Sequence, residues 1–452
     1  MNAKPAAPTT AASAPQGTTV SARSAGLRYG ALFGPVVFGV TAAGVALPDV
    51  AEALGTTGSA TGWVLTAHAL ALGVGTALFG RLADTKGVRA SLLLGSLVLA
   101  VGALICLVAP DLGTLVAGRF VLAAGSGAMA SGALALSAAS APADRPKVLA
   151  GFGATMAFFS AGATLVGGVF TEWLTWRLTL VLPVFSLLAV PLCLRHAARR
   201  GSGRPMDLLG ASLLTVAATS FLLLIQASAL GLPAPLVVGI TAALVLGAAG
   251  LVWRTRTSPV SFVPRRLVTD SVFLRAAVVG IGVYGGLFAA MYAVPQLLVR
   301  EHGWSVLAVG VWLLPGAALG ALLSRAAGGL TSGNDGGSRL LAAIAGATAG
   351  VLAGTLTSGG PAQLIIGASL GFAAFAVTQV VTTALMSQRV EPALRGGAMG
   401  LLNLSFFVGG GVGSATVGAL AKSMSLSTSL GVIAAFPLVA GLVALTLARR
   451  PA

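Results

Sequence analysis

Long apolar stretches separated by short polar loops make up nearly the whole chain. Fourteen of these stretches, most about 20 residues long, can each cross a bilayer, because a hydrocarbon core about 30 Å thick needs roughly 20 apolar residues per helix. They cover residues 27–48, 61–81, 90–109, 113–139, 147–170, 175–195, 207–230, 234–254, 272–299, 305–330, 338–357, 361–386, 395–420 and 429–448. The pattern predicts an all-α integral membrane protein with 14 transmembrane helices.

The positive charges alternate between the loops. Of the 27 Lys and Arg residues, all but Arg119, Arg177, Arg300 and Lys422 lie in the terminal segments or in and beside every second loop. The positive-inside rule places these basic loops on the cytoplasmic side of the membrane, which we call the inner face. An even number of helices then predicts that both termini are cytoplasmic.

The basic loops also divide the chain into parts. Segments near 195–207 and 254–271 carry several arginines and bracket the seventh and eighth helices, as expected for an insert between two bundles. The residues before the first helix are rich in Pro, Ala, Ser and Thr and cannot bury a core. The predicted parts are a disordered cytoplasmic tail (1–26), a six-helix bundle (27–200), a two-helix insert (201–260) and a second six-helix bundle (261–452).

Composition excludes several classes of function. The chain is 56% hydrophobic and 8% charged, whereas soluble domains are about 25% charged. Its net charge of +16 is spread over the inner loops, so nucleic-acid binding is not expected. The sequence has neither a GxxxxGK(S/T) phosphate loop nor an HExxH zinc motif, the patterns typical of nucleotide and metal chemistry. We therefore expect no enzymatic activity, no cofactor and no metal.

One polar loop carries a specific motif. The sequence GRLADTKG at positions 80–87 connects the second and third helices on the inner face. Its glycines permit a tight turn, and Asp84 can accept hydrogen bonds from a neighbouring helix N-terminus or pair with an arginine. This motif resembles the loop signature of the major facilitator superfamily, a family of solute transporters.

Four further stretches extend the resemblance over nearly all of the chain after the tail. WVLTA (63–67), RFV (119–121), GG (167–168) and RGGAMGLLN (395–403) are similar to the fourteen-helix drug–proton antiporter branch, which includes the Gram-positive tetracycline efflux proteins. The resemblance implies a major facilitator fold in a bacterial cytoplasmic membrane, and a monomer surrounded by lipid. It also implies secondary active efflux of amphiphilic small molecules, an antibiotic or natural product, in exchange for protons.

The resemblance assigns a role to the polar loop as well. In this family a charge network closes the inner face and breaks when the two bundles rock about a central cavity. We expect Arg395, just before the thirteenth helix, to be one partner of Asp84. The residues of this predicted latch are Gly80, Arg81, Asp84, Gly87, Arg89 and Arg395.

The chain departs from that branch at positions that bear on proton exchange. Gly39 stands where the first helix usually carries an acid, Ser160 where tetracycline exporters carry one, and Ala163-Thr164 where the antiporter signature expects Gly-Pro. None of the 11 carboxylates is predicted near the middle of the membrane. Proton coupling therefore needs another group.

Two residues could supply that coupling. Arg119 lies inside the fourth helix, where a charge costs roughly 2.5–3.5 kcal/mol on insertion scales, so it is expected to face a cavity or to lock helix packing. His68 lies inside the second helix, and the ordinary pKa of histidine, about 6.5, suits proton exchange. The alternative for His68 is a packing role with satisfied hydrogen bonds.

Aromatic and amide side chains on several helices predict a roomy, uncharged substrate pocket. For each of them, a helix–helix hydrogen bond or a lipid-facing position is an open alternative. The candidates are Phe158, Gln226, Tyr284, Tyr292, Gln296, Trp312, Gln379, Asn403 and Phe406.

Two other functions remain open from the sequence. The departures at Ala163-Thr164 fit an uptake or facilitative carrier that lacks proton antiport. A non-transporting membrane sensor built on the same fold is the second alternative, although such a protein has no need of a breakable latch.

Overall fold

The computed structural model of the chain describes residues 21–56, 58–197, 200–203, 205–225, 227, 231–258, 261–331 and 335–447. Within these ranges the chain forms nineteen α-helices and three short 3-10 segments, without a strand. The helices are α1 (Ala22–Phe33), α2 (Thr41–Val45), α3 (Leu47–Ala53), α4 (Gly58–Lys86), α5 (Val88–Val108), α6 (Leu112–Ala138), α7 (Arg145–Trp173), α8 (Trp176–Leu180), α9 (Ser186–Leu194), α10 (Leu208–Ile225), α11 (Ala234–Thr257), α12 (Arg265–Thr269), α13 (Ser271–Arg300), α14 (Val306–Leu330), α15 (Gly336–Ala353), α16 (Pro361–Arg389), α17 (Arg395–Leu420), α18 (Leu426–Ile433) and α19 (Ala435–Leu447).

The membrane segments follow the order predicted from the sequence. In the described chain, thirteen segments are long and apolar enough to cross a membrane, and a fourteenth apolar helix, Leu182–Leu194, is shorter. Each overlaps one of the predicted stretches, with differences of a few residues at the ends. The first helix begins at Ala22, inside the predicted tail, and residues 1–20 of that tail lie outside the described residues.

Two membrane segments are broken. The first runs from α1 through a 3-10 turn, Gly34–Gly39, that contains Pro35, and resumes as α2. The sixth is split between α8 and α9 by a 3-10 turn, Leu182–Phe185, that contains Pro183. Proline lacks an N–H group and clashes with the carbonyl four residues earlier, so such breaks make backbone carbonyl oxygens available to other donors.

We call the helices before α10 the first half and those after α11 the second half. Two helix pairs, α4 with α17 and α7 with α14, form the largest contacts between them. Their backbones approach closely at glycines. An added Cβ would lie 2.4 Å from the Thr76 carbonyl oxygen at Gly400, and 2.6 Å from the Pro146 carbonyl oxygen at Gly328. Small residues at helix contacts allow close van der Waals packing where lipid supplies no hydrophobic driving force between helices.

The helices α10 and α11 pack against each other and form a hairpin beside the two halves. α10 also contacts α4 and α17. In α11, by contrast, only 6% of the residues in its most apolar stretch are buried. Such an apolar surface suits contact with lipid acyl chains. The division of the chain at residues 27–200, 201–260 and 261–452 stays a prediction.

Candidate functional site

Asp84 and the start of α17 join the two halves at the predicted inner face. The Oδ1 and Oδ2 atoms of Asp84 accept hydrogen bonds from the amides of Gly396 (2.8 Å) and Gly397 (2.6 Å), respectively. The first N–H groups of a helix lack partners within it and carry partial positive charge, so a carboxylate binds well there. The sequence predicts Arg395 as a partner of Asp84. In the structure Asp84 instead binds the amides of the two residues that follow Arg395, and the Arg395 guanidinium donates to backbone carbonyl groups.

The glycines of the predicted latch permit this contact. An added Cβ at Gly80 would lie 2.4 Å from the carbonyl oxygen of Gly396, so the two helices touch through their backbones. Gly87 has a φ of +95°, in the left-handed region that favours glycine, and connects α4 to α5. Arg89, in the first turn of α5, is exposed.

Two arginines of the predicted latch bind backbone carbonyl groups. Arg81 is buried, and its Nη2 donates to the carbonyl oxygen of Ser261 at 3.4 Å. Arg395 donates to the carbonyl oxygens of Ser387 (2.5 Å) and Ala138 (3.4 Å), which lie near the ends of α16 and α6. Helix C-termini carry partial negative charge, so Arg395 stabilises the place where the ends of α6 and α16 meet, whereas Arg81 binds a loop.

The connector that precedes α10 covers the end of α4. The amides of Ser202 and Gly203 donate to the carbonyl oxygens of Asp84 (2.8 Å) and Thr85 (3.0 Å). An added Cβ at Gly201 would lie 2.4 Å from the Thr85 oxygen, so only glycine permits this approach. The connector is thus hydrogen-bonded to the same turn that contacts α17.

An ion pair that the sequence analysis missed fixes the inner end of the hairpin. Asp207 is buried, and its Oδ1 lies 3.0 Å from Nη2 of Arg254. The amides of Gly210 and Phe262 donate to the same carboxylate at 3.1 Å and 2.9 Å. Burial by itself would raise the pKa of Asp207, but the hydrogen bonds from Arg254 and the two amides together hold it below its usual value. The sequence did contain a signal for this pair, because Asp207 directly precedes α10 and Arg254 lies in the last turn of α11.

Arg119 is fully buried and binds carbonyl groups of three different segments. Its Nη1 donates to Leu180 (2.5 Å), its Nη2 to Gly39, and its Nε makes a long contact of 3.5 Å to Val64. Gly39 and Leu180 lie at the breaks of the first and sixth membrane segments. Arg119 therefore holds the two broken segments together, the packing role that the sequence left open.

His68 fills the space next to Gly39. Its side chain is fully buried, and in the described chain neither Nδ1 nor Nε2 has a hydrogen-bond partner. An added Cβ at Gly39 would lie 2.0 Å from Nε2 of His68, so the imidazole packs directly against the backbone at this glycine. In the described chain His68 therefore lacks the hydrogen bonds that the alternative packing role included, and an unsatisfied buried polar group costs about 1–3 kcal/mol.

A polar cluster lies inside the second half. Nε2 of Gln379 donates to the hydroxyl of Tyr284 and to Oδ1 of Asn403 (3.1 Å), and Asn403 donates to the Met399 carbonyl (3.0 Å). All three side chains are fully buried, and Oε1 of Gln379 has no partner in the described chain. The aromatic rings with centroids 5.0–5.9 Å from the Tyr284 ring belong to Phe288, Phe375, Phe406 and Phe407.

A small apolar cavity lies between the two halves next to this cluster. Its volume is about 10 Å³, which is the lower limit for one water molecule. Ser160 and Thr41 supply its polar groups, and the Ser160 hydroxyl has no hydrogen-bond partner in the described chain. The larger side chains of its wall include Phe33, Leu72, Phe288, Met291, Phe375 and Phe407.

The structure divides the residues predicted to bind substrate. Tyr284, Gln379, Asn403 and Phe406 come together behind the cavity wall, and none of them lines the cavity. Four others lie away from this cavity, because an apolar helix surface faces lipid as readily as a protein interior, and their role in binding substrate stays a prediction. These are Phe158 (61% exposed), Trp312 (57%), Tyr292 (43%) and Gln296, which donates to the Tyr292 carbonyl. Gln226 lies outside the described residues.

The chain belongs to the Major Facilitator Superfamily, whose sequence profile matches residues 30–414. This confirms the family and the membrane-transporter fold predicted from the loop motif. Members of the family that resemble the chain are transporters rather than enzymes.

Its relatives include a drug-resistance protein and an uncharacterized transporter. The puromycin resistance protein pur8 of Streptomyces alboniger is 31% identical over 405 residues, which are 84% of this chain and 78% of that protein. The MFS-type transporter EfpA of Mycobacterium tuberculosis is 32% identical over 293 residues, 61% of this chain and 53% of that protein. This chain thus spans about half the length of EfpA.

Solved structures of transporters share the fold. The human organic anion transporter MFSD10 (TETRAN) superposes with a TM-score of 0.64 at 15% identity, over 93% of this chain and 99% of that one. The proton:xylose symporter XylE superposes with a TM-score of 0.63 at 14% identity, over 92% and 94% of the two chains. At such low identity the likeness shows the fold alone.

Proposed function

We propose that this protein exports amphiphilic small molecules, such as an antibiotic or natural product, by alternating access and in exchange for protons. The observation that carries the proposal is the contact between the Asp84 carboxylate and the amides that begin α17. This contact joins the halves of the chain beside an inner connector. The resistance function in the name of the Streptomyces relative supports drug efflux.

The cavity between the halves must change size during such a cycle. A volume of about 10 Å³ holds one water molecule at most, whereas pockets for drug-sized ligands measure about 300–1,000 Å³. We therefore assign the structure to an occluded state, in which the inner ends touch and this cavity is too small for substrate. Separation of α4 from α17 would open the cavity toward the inner face.

The chemistry of the cavity wall supports an apolar or amphiphilic substrate. Phenylalanine, leucine and valine side chains from both halves form most of the wall, and Ser160 and Thr41 are its polar members. No Asp, Glu, Lys or Arg of the described chain lines it. A strongly charged substrate would lose its hydration there without a compensating partner.

We also propose that the protein works as a monomer in a bacterial cytoplasmic membrane with both termini in the cytoplasm. The alternation of basic loops supports this orientation. The Asp84 contact, the cavity and the Arg119 contacts all arise within one chain, so one copy is sufficient to form the site.

Drug accumulation in cells tests the proposal. A drug-sensitive bacterium is loaded with puromycin, tetracycline and other amphiphilic antibiotics, with and without the protein. Asp84→Asn replaces one acceptor oxygen by an amide that faces a backbone N–H, and the unsatisfied donor costs about 1–3 kcal/mol. We expect the wild-type protein to lower accumulation, and both Asp84→Asn and a protonophore to restore it.

Asp144→Asn is the matched control, because Asp144 also lies at the predicted inner face but is exposed. This variant should export like the wild type. Accumulation that rises in cells with the protein would instead establish an uptake carrier. Export that resists the protonophore would exclude proton exchange.

A further inference from the structure

Ser160 supplies an unpaired hydroxyl to the wall of the cavity between the two halves. Its side chain, on α7, is 1% exposed, and its Oγ has no hydrogen-bond partner in the described chain. Serine in a helix can donate to the carbonyl four residues earlier, as Ser126 does to Leu122 (2.9 Å) and Ser137 to Ala133 (2.8 Å). Because Ser160 makes no such bond, its hydroxyl remains available to a molecule in the cavity.

The position at the cavity distinguishes Ser160 from other unpaired hydroxyls. Ser186, Ser324 and Thr383 are also buried and lack partners within the described residues, but they do not line the cavity. Buried polar groups in native proteins are nearly always hydrogen-bonded. An unpaired hydroxyl beside an open space therefore indicates a place where a ligand supplies the missing partner.

Thr41 provides the second hydroxyl of the cavity wall. Its Oγ1 donates to Sδ of Met291 at 3.8 Å, and a thioether sulfur is a weak acceptor. Thr41 and Ser160 both belong to the first half, whereas the second half contributes Leu287, Phe288 and other apolar side chains. The described wall is therefore polar on one side only, and separation of the halves leaves both hydroxyls on that side.

The surroundings of Ser160 offer no partner for a charged ligand. The described residues that line the cavity carry no charge. The acids nearest to Ser160 along α7 are its N-cap Asp144 and Glu172 in its last turn. Each lies roughly 18 Å or more along the helix from Ser160, at about 1.5 Å per residue. A cation that leaves water without a partner loses its hydration energy, so this wall favours an uncharged hydrogen-bonding group.

We propose that Ser160 selects uncharged substrates by donating a hydrogen bond to a neutral acceptor, such as an amide or ester carbonyl oxygen. Thr41 binds the same polar end, and the apolar wall of the second half covers an aromatic or aliphatic body. This assignment rests on the proposed export function and narrows its substrates to uncharged amphiphiles. A compound with a permanent ammonium group is expected to be a poor substrate.

Binding of two forms of one drug tests this selection. Acetylation of the puromycin amino group removes its positive charge and adds a carbonyl acceptor. An α-amino group has an ordinary pKa of about 7.7–8.0, so at about pH 6.5 puromycin must lose a proton to enter uncharged. The full-length protein in lipid nanodiscs should therefore bind N-acetylpuromycin at least about tenfold more tightly than puromycin. Equal binding, or tighter binding of puromycin, would overturn the proposal.

Ser160→Ala tests the hydroxyl itself. This variant should bind N-acetylpuromycin about three- to tenfold more weakly, as expected for the loss of one hydrogen bond. It should unfold at the wild-type temperature or above, since its hydroxyl has no partner to lose. Ser126→Ala is the matched control with wild-type binding, because it removes a buried hydroxyl that bonds within its own helix. Unchanged binding in Ser160→Ala, or weaker binding together with lower stability, would refute the role of Ser160.

Cysteine labelling tests the charge selection without any drug. Ser160→Cys is introduced after the native cysteines Cys106 and Cys193 have been replaced by alanine. The reagents are the cation trimethylammonioethyl methanethiosulfonate and its uncharged isostere, which has a tert-butyl group in place of the trimethylammonium group. Ser202→Cys, at an exposed position of the inner connector, gives the ratio of their rates in water. Phe158→Cys, on an exposed helix surface, should react slowly with both, because the reactive thiolate does not form in lipid.

Relative to the Ser202→Cys protein, the uncharged reagent should modify Ser160→Cys at least about tenfold faster than the cationic reagent. Equal relative rates, or no reaction with the uncharged reagent, would overturn the proposal. If neither form of puromycin binds, export of this drug fails as a proposal. The labelling rates still decide whether the site at Ser160 admits uncharged molecules in preference to cations.

Discussion

The Asp84 carboxylate accepts a 2.6 Å hydrogen bond from the amide of Gly397, a residue 313 positions further along the chain. One partner ends α4 in the first half, and the other begins α17 in the second. The bond exists only while these helix ends stay together, so opening of the inner face must break it. Because the acceptor is charged, the bond is stronger than one between neutral groups.

Gly397→Ala should weaken this contact and lower transport severalfold. The added Cβ would lie 2.9 Å from Oδ2 of Asp84 and 3.4 Å from Cδ of Arg81, and such overpacking costs about 1–3 kcal/mol. Drug efflux and maleimide labelling of Thr85→Cys measure the change, since Thr85 is buried at the end of α4 and a weaker contact exposes it at the inner face. Gly418→Ala on the same helix is the control, because its Cβ would lie at an ordinary 3.6 Å from the Tyr292 hydroxyl. Equal efflux and labelling in both variants would refute the role of the contact.

Arg119→Met should destabilise the protein by about 2–4 kcal/mol, because hydrogen bonds from a charged donor contribute about 1.5–3 kcal/mol each. The substitution leaves the carbonyl groups of Gly39 and Leu180 without their donor. Thermal unfolding in detergent measures the loss. Arg300→Met is the control, since Arg300 is exposed at the end of α13. A variant as stable as this control would show that Arg119 does not hold the broken segments together.

Asp207→Asn should reduce stability at neutral pH, and the difference from the wild type should shrink on acidification. The pKa of Asp207 is lower in the folded protein than its usual value, against the effect of burial and because Arg254 and two amides bind the carboxylate. A lowered folded pKa stabilises the fold above the unfolded value of about 3.9, and this contribution is lost as the pH falls through the folded value. Unfolding midpoints between pH 3 and pH 7 measure the effect. A difference that is unchanged over this range would contradict the role assigned to the ion pair.

Phe407→Ala should weaken drug binding about tenfold, whereas Phe158→Ala should not. Phe407 lines the cavity and contacts the Tyr284 ring, so truncation removes apolar surface from the substrate wall. Phe158 is 61% exposed and lies away from the cavity, although the sequence predicted it as a substrate residue. Radiolabelled puromycin binding measures both, and Phe407→Leu separates lost ring contacts from lost stability. Weaker binding in Phe158→Ala alone would reverse this assignment.

Several features of the site could be recognised from the sequence because they depend on local residues. The turn at residues 80–87 contains glycines and an acid whose chemistry suits a helix N-terminus, and Asp84 does bind one. A charge at Arg119 and a histidine at position 68 are conspicuous in apolar helices. Their roles in transport stay predictions.

Other features could not be read from the sequence. The face that an apolar helix turns inward is one example, since lipid and protein interior are equally apolar and Phe158 and Phe407 therefore look alike. The contact of Asp207 with Arg254 is another, because it depends on how two helices of a hairpin meet. The same holds for His68, whose unpartnered state follows from its position against Gly39.

The sequence by itself determined that the chain spans a membrane many times and which superfamily it resembles. It also predicted that the basic loops face the cytoplasm. These properties follow from segment length, charge order and one loop motif, which neighbouring helices do not alter. Only the tertiary structure decided that Asp84 meets the amides of α17, that Arg119 bridges two broken segments, and which aromatic rings surround the cavity. Each of these depends on the rotation and register of one helix against another, and uniformly apolar helices carry little sequence signal for either.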